Sequence, residues 1–402
     1  MMDVFWWALT YNSNMKSDLI VHKKPKRGFL PDHAPLKKVR SDSQTRYLSD
    51  LSAEVPKLLL TSSLPQVLES LPSSFFNFGE MIRNGEEKKL RCINSQLSFL
   101  AHAYIYSDNK PKKKLPKSIA SPWIKVSKYL GRPAVLSYAS YCLDNCYLID
   151  NNRGISLDNV ALINNFLGGV DEDWFVTIHV CIEDAASEAV RSTIALIEET
   201  SESKIEMHLK NILSSLEKVN SIFKRMPEKC DPYIYYHRVR PYIFGWKNNP
   251  DLPKGLIYEG FYQNKPQQFR GETGAQSSII PLLDALFDVK HKKDSLRDYL
   301  EEMLSYMPPA HRELISQTKK NSKVKIFAND SIKIRRLVNK CLDQMTQFRS
   351  QHIRYANDYI HSQSRNPSDF TSGGSTIRGT GGTPFMRYLR KHRDETKSSI
   401  KK

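Results

Sequence analysis

Apolar residues recur at helical spacing through most of the second half of the chain. In the stretch Asp171–Glu199 they stand three or four positions apart, and acidic residues at its start suit the positive end of a helix dipole. The same spacing continues through Ile205–Met226 and Lys333–His361. The pattern therefore predicts three long helices, each with one apolar face.

The chain before residue 165 shows a less regular pattern. Residues 27–100 alternate Pro-punctuated turns with short helical stretches. Two more helices are predicted at Pro122–Leu130 and Ala134–Cys146, ahead of a turn at Asp150–Gly154. This half of the sequence indicates a smaller domain of mixed structure.

The resulting prediction is a mainly α protein with two domains. A smaller N-terminal domain spans residues 27–164, and a larger all-helical domain spans 165–402. Residues 1–26 are expected to form a disordered extension. The Ser-, Thr- and Gly-rich residues 362–383 are expected to form a mobile loop.

The charge of the chain has two interpretations. Its 402 residues include 60 Lys and Arg against 43 Asp and Glu, a net charge of +17. Such an excess suits nucleic acid or another anionic surface, but it equally suits a solvated basic exterior. The densest basic run, Lys110–Lys117, is broken by Pro and lacks interleaved aromatics, which favours a solvated loop.

Several classes of protein are excluded by composition. No run approaches 18 apolar residues, which excludes a transmembrane helix. The six Cys include no CxxC pair, which excludes a zinc ribbon and favours reduced cytosolic thiols. The apolar run Val4–Leu9 is too short for a signal peptide and lacks a basic flank, so cytoplasmic location is the default.

One histidine has the surroundings that a heme requires. His352 falls on the apolar stripe of the longest predicted helix, and Arg349 lies one turn before it. A heme needs an axial imidazole, an apolar slot and cations for its propionates. A core histidine beside a surface arginine explains the same spacing, so the pattern alone leaves both interpretations open.

Other candidates also have two interpretations. His179 falls within the first long helix and suits either a core position or a site. The aromatic segment Tyr233–Trp246 contains Arg238 and Arg240, which could bind a carboxylate through paired hydrogen bonds or simply border an aromatic core. The Gly-rich stretches 271–278 and 379–383 match no phosphate-binding motif, and the carboxylates form no unambiguous acid–base pair.

Taken together, many segments match one family in unbroken order over residues 27–396. They are Gly28–Leu36, Ala101–Tyr106, Leu115–Ala120, Arg240–Pro250, Gly255–Phe261, Gly274–Ser278, Tyr306–Arg312, Phe348–His352 and Gly379–Thr383. In these segments the chain resembles the indoleamine 2,3-dioxygenase family, in particular its fungal members. The ordered series is far more specific than any one segment.

The resemblance implies a fold and an activity. The expected fold is a small α/β domain over a large all-helical domain that holds one heme b per chain. The expected enzyme inserts both atoms of O₂ across the indole C2–C3 bond of L-tryptophan to give N-formylkynurenine, the first step of the kynurenine route to NAD. Its partners would be L-tryptophan, O₂ and an electron donor that keeps the heme ferrous. A cytoplasmic monomer without nucleic-acid or membrane partners is expected.

The resemblance also implies residue roles at the cofactor. His352 matches the proximal iron ligand. Arg349 matches the residue that reaches a heme propionate, and Asp284 matches its acidic partner. Gly274, in the Gly-rich stretch, is assigned to the cofactor site.

On the substrate side, Arg240 matches the residue that pairs with the substrate carboxylate. Tyr138 matches a residue of the indole pocket, and Thr380 falls in the loop that closes over the substrate. A neutral proximal imidazole would leave the opposite iron face open for O₂.

Two positions depart from the family pattern. His179 stands where animal members carry a small hydroxyl residue. We hypothesise that it accepts the indole N–H, as a distal histidine does in the related tryptophan 2,3-dioxygenase family; the rival hypothesis is that it ligates the resting iron. Tyr235 and Tyr236 replace a Phe pair that touches the substrate, which makes the pocket more polar.

Two other functions compete with the dioxygenase. One is a heme-binding paralogue with little catalysis that serves as a sensor or signalling protein. The other is a basic nucleic-acid-binding protein, suggested by the net charge and the Lys110–Lys117 run.

Overall fold

The computed structural model describes residues 25–108, 110–292, 294–365, 379–380 and 385–400. Nearly all of the predicted extension 1–26 and most of the predicted loop 362–383 lie outside these residues. Helices dominate the described chain, which confirms the mainly α prediction. The described helices are too short or too polar to cross a membrane.

The helices run in the following order: α1 Ser43–Ala53, α2 Val55–Leu60, α3 Leu64–Ser70, α4 Gly79–Arg83, α5 Glu87–Ile105, α6 Lys117–Tyr129, α7 Val170–Ala185, α8 Ser187–Leu196, α9 Glu202–Phe223, α10 Pro232–Ile234, α11 Arg240–Ile243, α12 Ile279–Leu286, α13 Ser295–Leu304, α14 Pro309–Asn321, α15 Val324–Asp330, α16 Ile332–Ala356 and α17 Phe385–Ser398. Single π-helical turns occur at Ala139–Leu143, Tyr235–Val239 and Asn357–His361.

The described strands are few and short. β1 (Lys114–Leu115) pairs in parallel with β4 (Ile257–Tyr258), and β2 (Cys146–Leu148) pairs antiparallel with β3 (Val160–Leu162). β1 lies inside the basic run that the sequence suggested was a loop, where Lys114 forms an ion pair with Glu259. Because β4 follows residue 164, the first sheet joins segments from both sides of the predicted domain boundary.

The long helices form where the sequence predicts them, with one division. Ile205–Met226 corresponds to α9, and the core of Lys333–His361 corresponds to α16. The single helix predicted over Asp171–Glu199 is instead two helices, α7 and α8, separated at the buried Ala186.

The helix predicted over Ala134–Cys146 is wrong for most of its length, since only the π turn at 139–143 forms before β2 begins. Side chains from distant elements accept hydrogen bonds from two backbone N–H groups near the start of this segment, and one of them, that of Tyr138, is a group that a helix begun at Ala134 would use. The Leu136 N–H donates to His102 Nε2 at 3.0 Å, and the Tyr138 N–H donates to Gln276 Oε1 at 2.9 Å. Tertiary hydrogen bonds therefore override the local pattern here.

The helix α16 joins the core to the candidate site. Its apolar stripe is fully buried along the first half, through Ile334, Cys341 and Met345, where it packs against α9. Beyond Met345 the same stripe is only partly buried and faces a cavity, with Phe348 and His352 on its wall. The first half of the apolar stripe therefore packs in the core, and the second half lines the cavity.

A close backbone crossing fixes the chain at the end of the cavity that carries α11. A Cβ atom placed on Gly245 would lie 2.0 Å from the Gly271 nitrogen, and one on Gly271 would lie 2.3 Å from the Ile243 carbonyl oxygen. Only residues without a side chain allow this approach. The crossing holds α11 beside the segment 271–278.

We expect Gly245→Ala to lower the free energy of unfolding by about 2 kcal/mol or more, because the methyl group would collide with backbone that cannot move aside. Urea denaturation of the purified protein measures the change. Gly154→Ala is the matched control, since no atom lies within 4 Å of its added Cβ. Equal effects from the two variants would show that the crossing imposes no steric constraint.

Candidate functional site

A cavity of about 640 Å³ opens between α7, α9, α12, α16 and α17. This volume lies within the range of about 300–1,000 Å³ found for cofactor and ligand sites. Its apolar walls include Phe175, Ile182, Leu216, Val219, Phe223 and Phe348. A second concavity of about 630 Å³, near residues 31–36 and 85–92, has both apolar and charged residues in its walls and contains none of the candidate residues.

His352 lines the cavity from α16, with its ring 6.2 Å from that of Phe223. Burial, together with the smaller effects of the nearby His179 and Arg349, lowers the pKa of His352 to about 4. The imidazole is therefore neutral at physiological pH, which is the form that binds a metal.

His179 lines the same cavity from α7. Its Nδ1 lies 2.7 Å from the Phe175 carbonyl oxygen, which can only accept a hydrogen bond. Nδ1 therefore carries the proton, and Nε2 is left as an acceptor. Burial lowers the pKa of His179, so this imidazole is neutral as well.

A network of buried polar groups joins three helices beside His352. Arg349 on α16 donates to Asp284 Oδ2 on α12 at 2.6 Å and to the His392 carbonyl on α17 at 2.9 Å. Asp284 is also 3.2 Å from His291 Nε2, whose Nδ1 lies 2.6 Å from Glu395 Oε2. These contacts bring together the two residues that the sequence predicted as partners, Arg349 and Asp284.

The network leaves two buried atoms without partners among the described residues. They are Asp284 Oδ1 and His392 Nε2, and both residues line the cavity. Buried polar atoms are rarely left without a hydrogen-bond partner in native proteins. Their position indicates that a further polar group belongs at this edge of the cavity.

Aromatic and hydroxyl residues form the wall around His179. Tyr138 lies with its ring 5.9 Å from His179, and its hydroxyl donates to Glu183 Oε1 at 2.9 Å. Tyr235 packs on Phe175 with ring centroids 4.7 Å apart. Burial raises the pKa of both tyrosines well above the usual value, so both hydroxyls stay protonated.

Two loop residues complete the cavity wall. Gly274 lines the cavity, and Thr380 lines it from the second Gly-rich stretch. The Thr380 hydroxyl donates to the Glu272 carbonyl, and the Thr380 carbonyl accepts the Gly245 N–H at 3.2 Å. These bonds fasten Thr380 to the crossing of residues 245 and 271.

Two of the residues predicted to bind the substrate, Arg240 and Tyr236, do not line the cavity. The guanidinium of Arg240 lies 5.1 Å from the Tyr236 ring centroid and 5.2 Å from that of Phe244. Neither Arg240 nor Tyr236 is among the described residues that line the cavity. Arg240 nevertheless lies close enough to the cavity-lining Tyr235 for its charge to lower the pKa of that hydroxyl.

Sequence reasoning missed the buried carboxyls around this wall. Glu272 lines the cavity at 2% exposure, and Glu183 holds the Tyr138 hydroxyl. Burial raises the pKa of Glu272 to about 8 and that of Glu183 to about 7. Glu272 stands in the Gly-rich stretch that the sequence singled out, but its burial has no signal in the local pattern.

The comparisons with known proteins agree with this geometry. The family model described as indoleamine 2,3-dioxygenase matches residues 21–399. Indoleamine 2,3-dioxygenase 1 of Rattus norvegicus is 32% identical over 87% of this chain and 88% of its own length. Indoleamine 2,3-dioxygenase of Saccharomyces cerevisiae is 30% identical, with 92% and 91% covered. A 6-hydroxytryptophan 2,3-dioxygenase of Fusarium equiseti is 27% identical, with 93% and 95% covered.

The chain belongs to the indoleamine 2,3-dioxygenase family. Members of this family are heme dioxygenases, so the chain is an oxidoreductase of that class. Membership confirms the family resemblance seen in the sequence. It also favours the enzyme over the competing hypothesis of a basic nucleic-acid-binding protein.

The described residues fit the heme of an indoleamine 2,3-dioxygenase. The cavity offers apolar walls for a flat macrocycle, and neutral imidazoles on its wall, His352 among them, that could ligate an iron. Arg349 and the unpartnered His392 Nε2 lie at one edge, where propionates would meet a cation and a second polar group. Within the described residues, no cluster of three or more His, Cys, Asp or Glu offers a competing metal site.

The contact of His291 with two carboxylates makes the docking of α17 sensitive to pH. Burial alone would lower the pKa of His291, but hydrogen bonds to Asp284 and Glu395 and the charge of Asp284 together raise it. The stabilisation is fully present below the unfolded value of about 6.5 and is lost as pH rises through the raised folded pKa.

We therefore expect His291→Gln to lower the melting temperature at about pH 6 and to have a smaller effect at about pH 9. Thermal unfolding of both proteins at the two pH values gives the comparison. His33→Gln is the control because His33 is exposed. A deficit in His291→Gln that is equal at both pH values would contradict the linkage.

Proposed function

We propose that this dioxygenase converts L-tryptophan and O₂ to N-formylkynurenine by insertion of both oxygen atoms across the indole C2–C3 bond. The observation that carries the proposal is the neutral His352 on the wall of an apolar cavity of about 640 Å³. In this proposal His352 ligates a single heme b. When bound, the heme supplies the O₂ activation that the side chains cannot supply.

The remaining cofactor contacts follow from the polar edge of the cavity. Arg349, oriented by Asp284, neutralises a propionate. Gly274 lets the backbone of the segment 271–278 approach the cofactor closely, since no atom lies within 4 Å of a Cβ placed there. The Asp284–Arg349 pair thus orients the cofactor while Gly274 leaves room for it.

The substrate is held by the wall opposite His352. The indole ring packs among Phe175, Tyr138 and Tyr235, which are already held by their own contacts. The Nε2 atom of His179 accepts the indole N–H, for which its tautomer is correct. This pair of contacts orients C2 and C3 of the ring.

Arg240 binds the substrate carboxylate once its guanidinium turns from the rings of Tyr236 and Phe244. The hydroxyl of Tyr236 makes this part of the site more polar than a phenylalanine would. Thr380 closes the site from the Gly-rich stretch and helps to exclude water. The electron donor, the cytoplasmic location, the monomeric state and the place in the kynurenine route stay predictions.

The test uses heme-loaded protein under ascorbate and methylene blue in air. With L-tryptophan we expect N-formylkynurenine, detected by absorbance and by mass. In His352→Ala we expect loss of the Soret band and of at least 99% of product, since the axial ligand is removed. His208→Ala is the control, because His208 lies on α9 and does not line the cavity. Heme binding and product formation retained in His352→Ala would contradict the assignment.

A second experiment addresses His179. If Nε2 accepts the indole N–H, the wild-type protein discriminates against 1-methyltryptophan, and His179→Ala reduces that discrimination about tenfold. The resting heme spectrum of the variant should be unchanged. A shift of that spectrum from low spin to high spin would instead favour His179 as an iron ligand.

One observation supports the second candidate function, a heme-binding paralogue with little catalysis. His179 and His352 are both neutral and line one cavity, and they lie close enough for protonation of His179 to lower the pKa of His352. Two such imidazoles could ligate one iron from both sides and block O₂. A heme-loaded protein that makes no product, with a low-spin spectrum that His179→Ala abolishes, would establish this function.

A further inference from the structure

Four acidic residues in the described part of the chain line the cavity, and they differ in whether their carboxyl groups are paired with a cation. Asp284, Asp288, Glu272 and Glu301 all line the cavity. Asp284 is paired with Arg349, Asp288 with Lys290 and Lys325, and Glu301 with Arg297. Among the described residues, the carboxyl of Glu272 has neither an ion pair nor a hydrogen bond.

A carboxyl in this condition is costly to bury. Glu272 is 2% exposed, and burial is the one cause that raises its pKa to about 8. The groups around it, Tyr138, Tyr141 and Tyr235, are hydroxyls whose pKa values are raised in part by Glu272 itself. The wall therefore holds an acid whose charged form lacks a cation.

The backbone places Glu272 at the same end of the cavity as Arg240. The Glu272 N–H donates to the Ile243 carbonyl at 3.1 Å, and Ile243 ends α11, the short helix that Arg240 begins. The Glu272 carbonyl accepts the Thr380 hydroxyl. The amino and carboxylate groups of an α-amino acid share one carbon, so residues that bind them must lie at one end of the site.

We propose that Glu272 binds the α-ammonium group of the amino-acid substrate and makes the enzyme specific for zwitterionic indoles. This inference rests on the proposed function, in which Arg240 binds the carboxylate and His179 the indole N–H. Glu272 supplies the negative charge that Arg240 cannot supply. An ammonium group completes the environment of the carboxyl, which the protein leaves without a cation.

The test compares two ligands that differ only in the ammonium group, L-tryptophan and 3-(indol-3-yl)propanoate. Binding to heme-loaded protein is measured by calorimetry without turnover. We expect the wild type to bind L-tryptophan at least tenfold more tightly than the propanoate. In Glu272→Gln we expect this ratio to fall about tenfold, the effect of losing one charge-assisted hydrogen bond.

Glu183→Gln is the matched control, since Glu183 is also a fully buried carboxyl but does not line the cavity. Because Glu183 holds Tyr138, its loss should weaken both ligands together and leave the ratio unchanged. A ratio that is unchanged in Glu272→Gln, or one near unity in the wild type, would overturn the proposal.

A measurement on the wild type covers the case in which Glu272→Gln does not fold. Pairing with an ammonium ionises the carboxyl, so L-tryptophan binding at about pH 7 should release up to one proton, and propanoate binding none. Calorimetry in buffers of different ionisation enthalpy detects the release. Tyr138, Tyr141, Cys142 and Tyr235 around the carboxyl stay protonated because burial raises their pKa values. Equal proton release with both ligands would refute the role of Glu272.

These outcomes separate this inference from the proposed function. An enzyme that forms N-formylkynurenine but keeps its ligand ratio in Glu272→Gln would retain the proposed function and lose the role of Glu272. A protein without product, whose preference for L-tryptophan depends on Glu272, would lose the dioxygenase function and keep the ammonium site.

Discussion

The buried ion pair of Arg349 and Asp284 is the interaction on which the side of the cavity that carries His352 depends. Through it and through the His392 carbonyl, one guanidinium joins α12, α16 and α17. A pair buried this deeply gains little net stability, because desolvation offsets much of its Coulomb attraction. Its effect is to fix one arrangement of the three helices. His352, one turn further along α16, takes its position from that arrangement.

The opposite side of the site depends on a steric constraint. The backbones at Gly245 and Gly271 approach too closely for any side chain. Thr380 is bound at the same point, where its hydroxyl donates to the Glu272 carbonyl and its carbonyl accepts the Gly245 N–H. The crossing holds α11, with Arg240, beside Glu272. The side of the cavity that carries His352 is thus fixed by charge inside the protein, and the side that carries Glu272 is fixed by backbone packing.

The sequence predicts the parts of this structure whose causes are local or repeated. The apolar stripes of α9 and α16 follow from spacing, and the pairing of Arg349 with Asp284 was expected from family resemblance. The local pattern could not show that the helix predicted over Ala134–Cys146 does not form. The Leu136 and Tyr138 N–H groups donate hydrogen bonds to His102 and Gln276, which are remote in sequence. Glu272 was missed for a similar reason, since its burial arises from the tertiary crossing of two loops.

The polarity of the distal wall has a physical consequence for substrate choice. His179, Tyr235 and Glu272 bring polar groups to the wall of a largely apolar cavity, where burial removes their hydration. A ligand that supplies matching partners would offset that loss. In the proposed complex, an indole without a side chain would leave the carboxyl of Glu272 without a cation, whereas the ammonium group of a zwitterionic indole would pair with it. On this proposal, selectivity would arise from the cost of leaving a polar group unpaired more than from the fit of the ring. On the proposed assignment, His179 lines the same cavity as the iron ligand His352, so a residue that improves substrate recognition would also compete with O₂ for the iron.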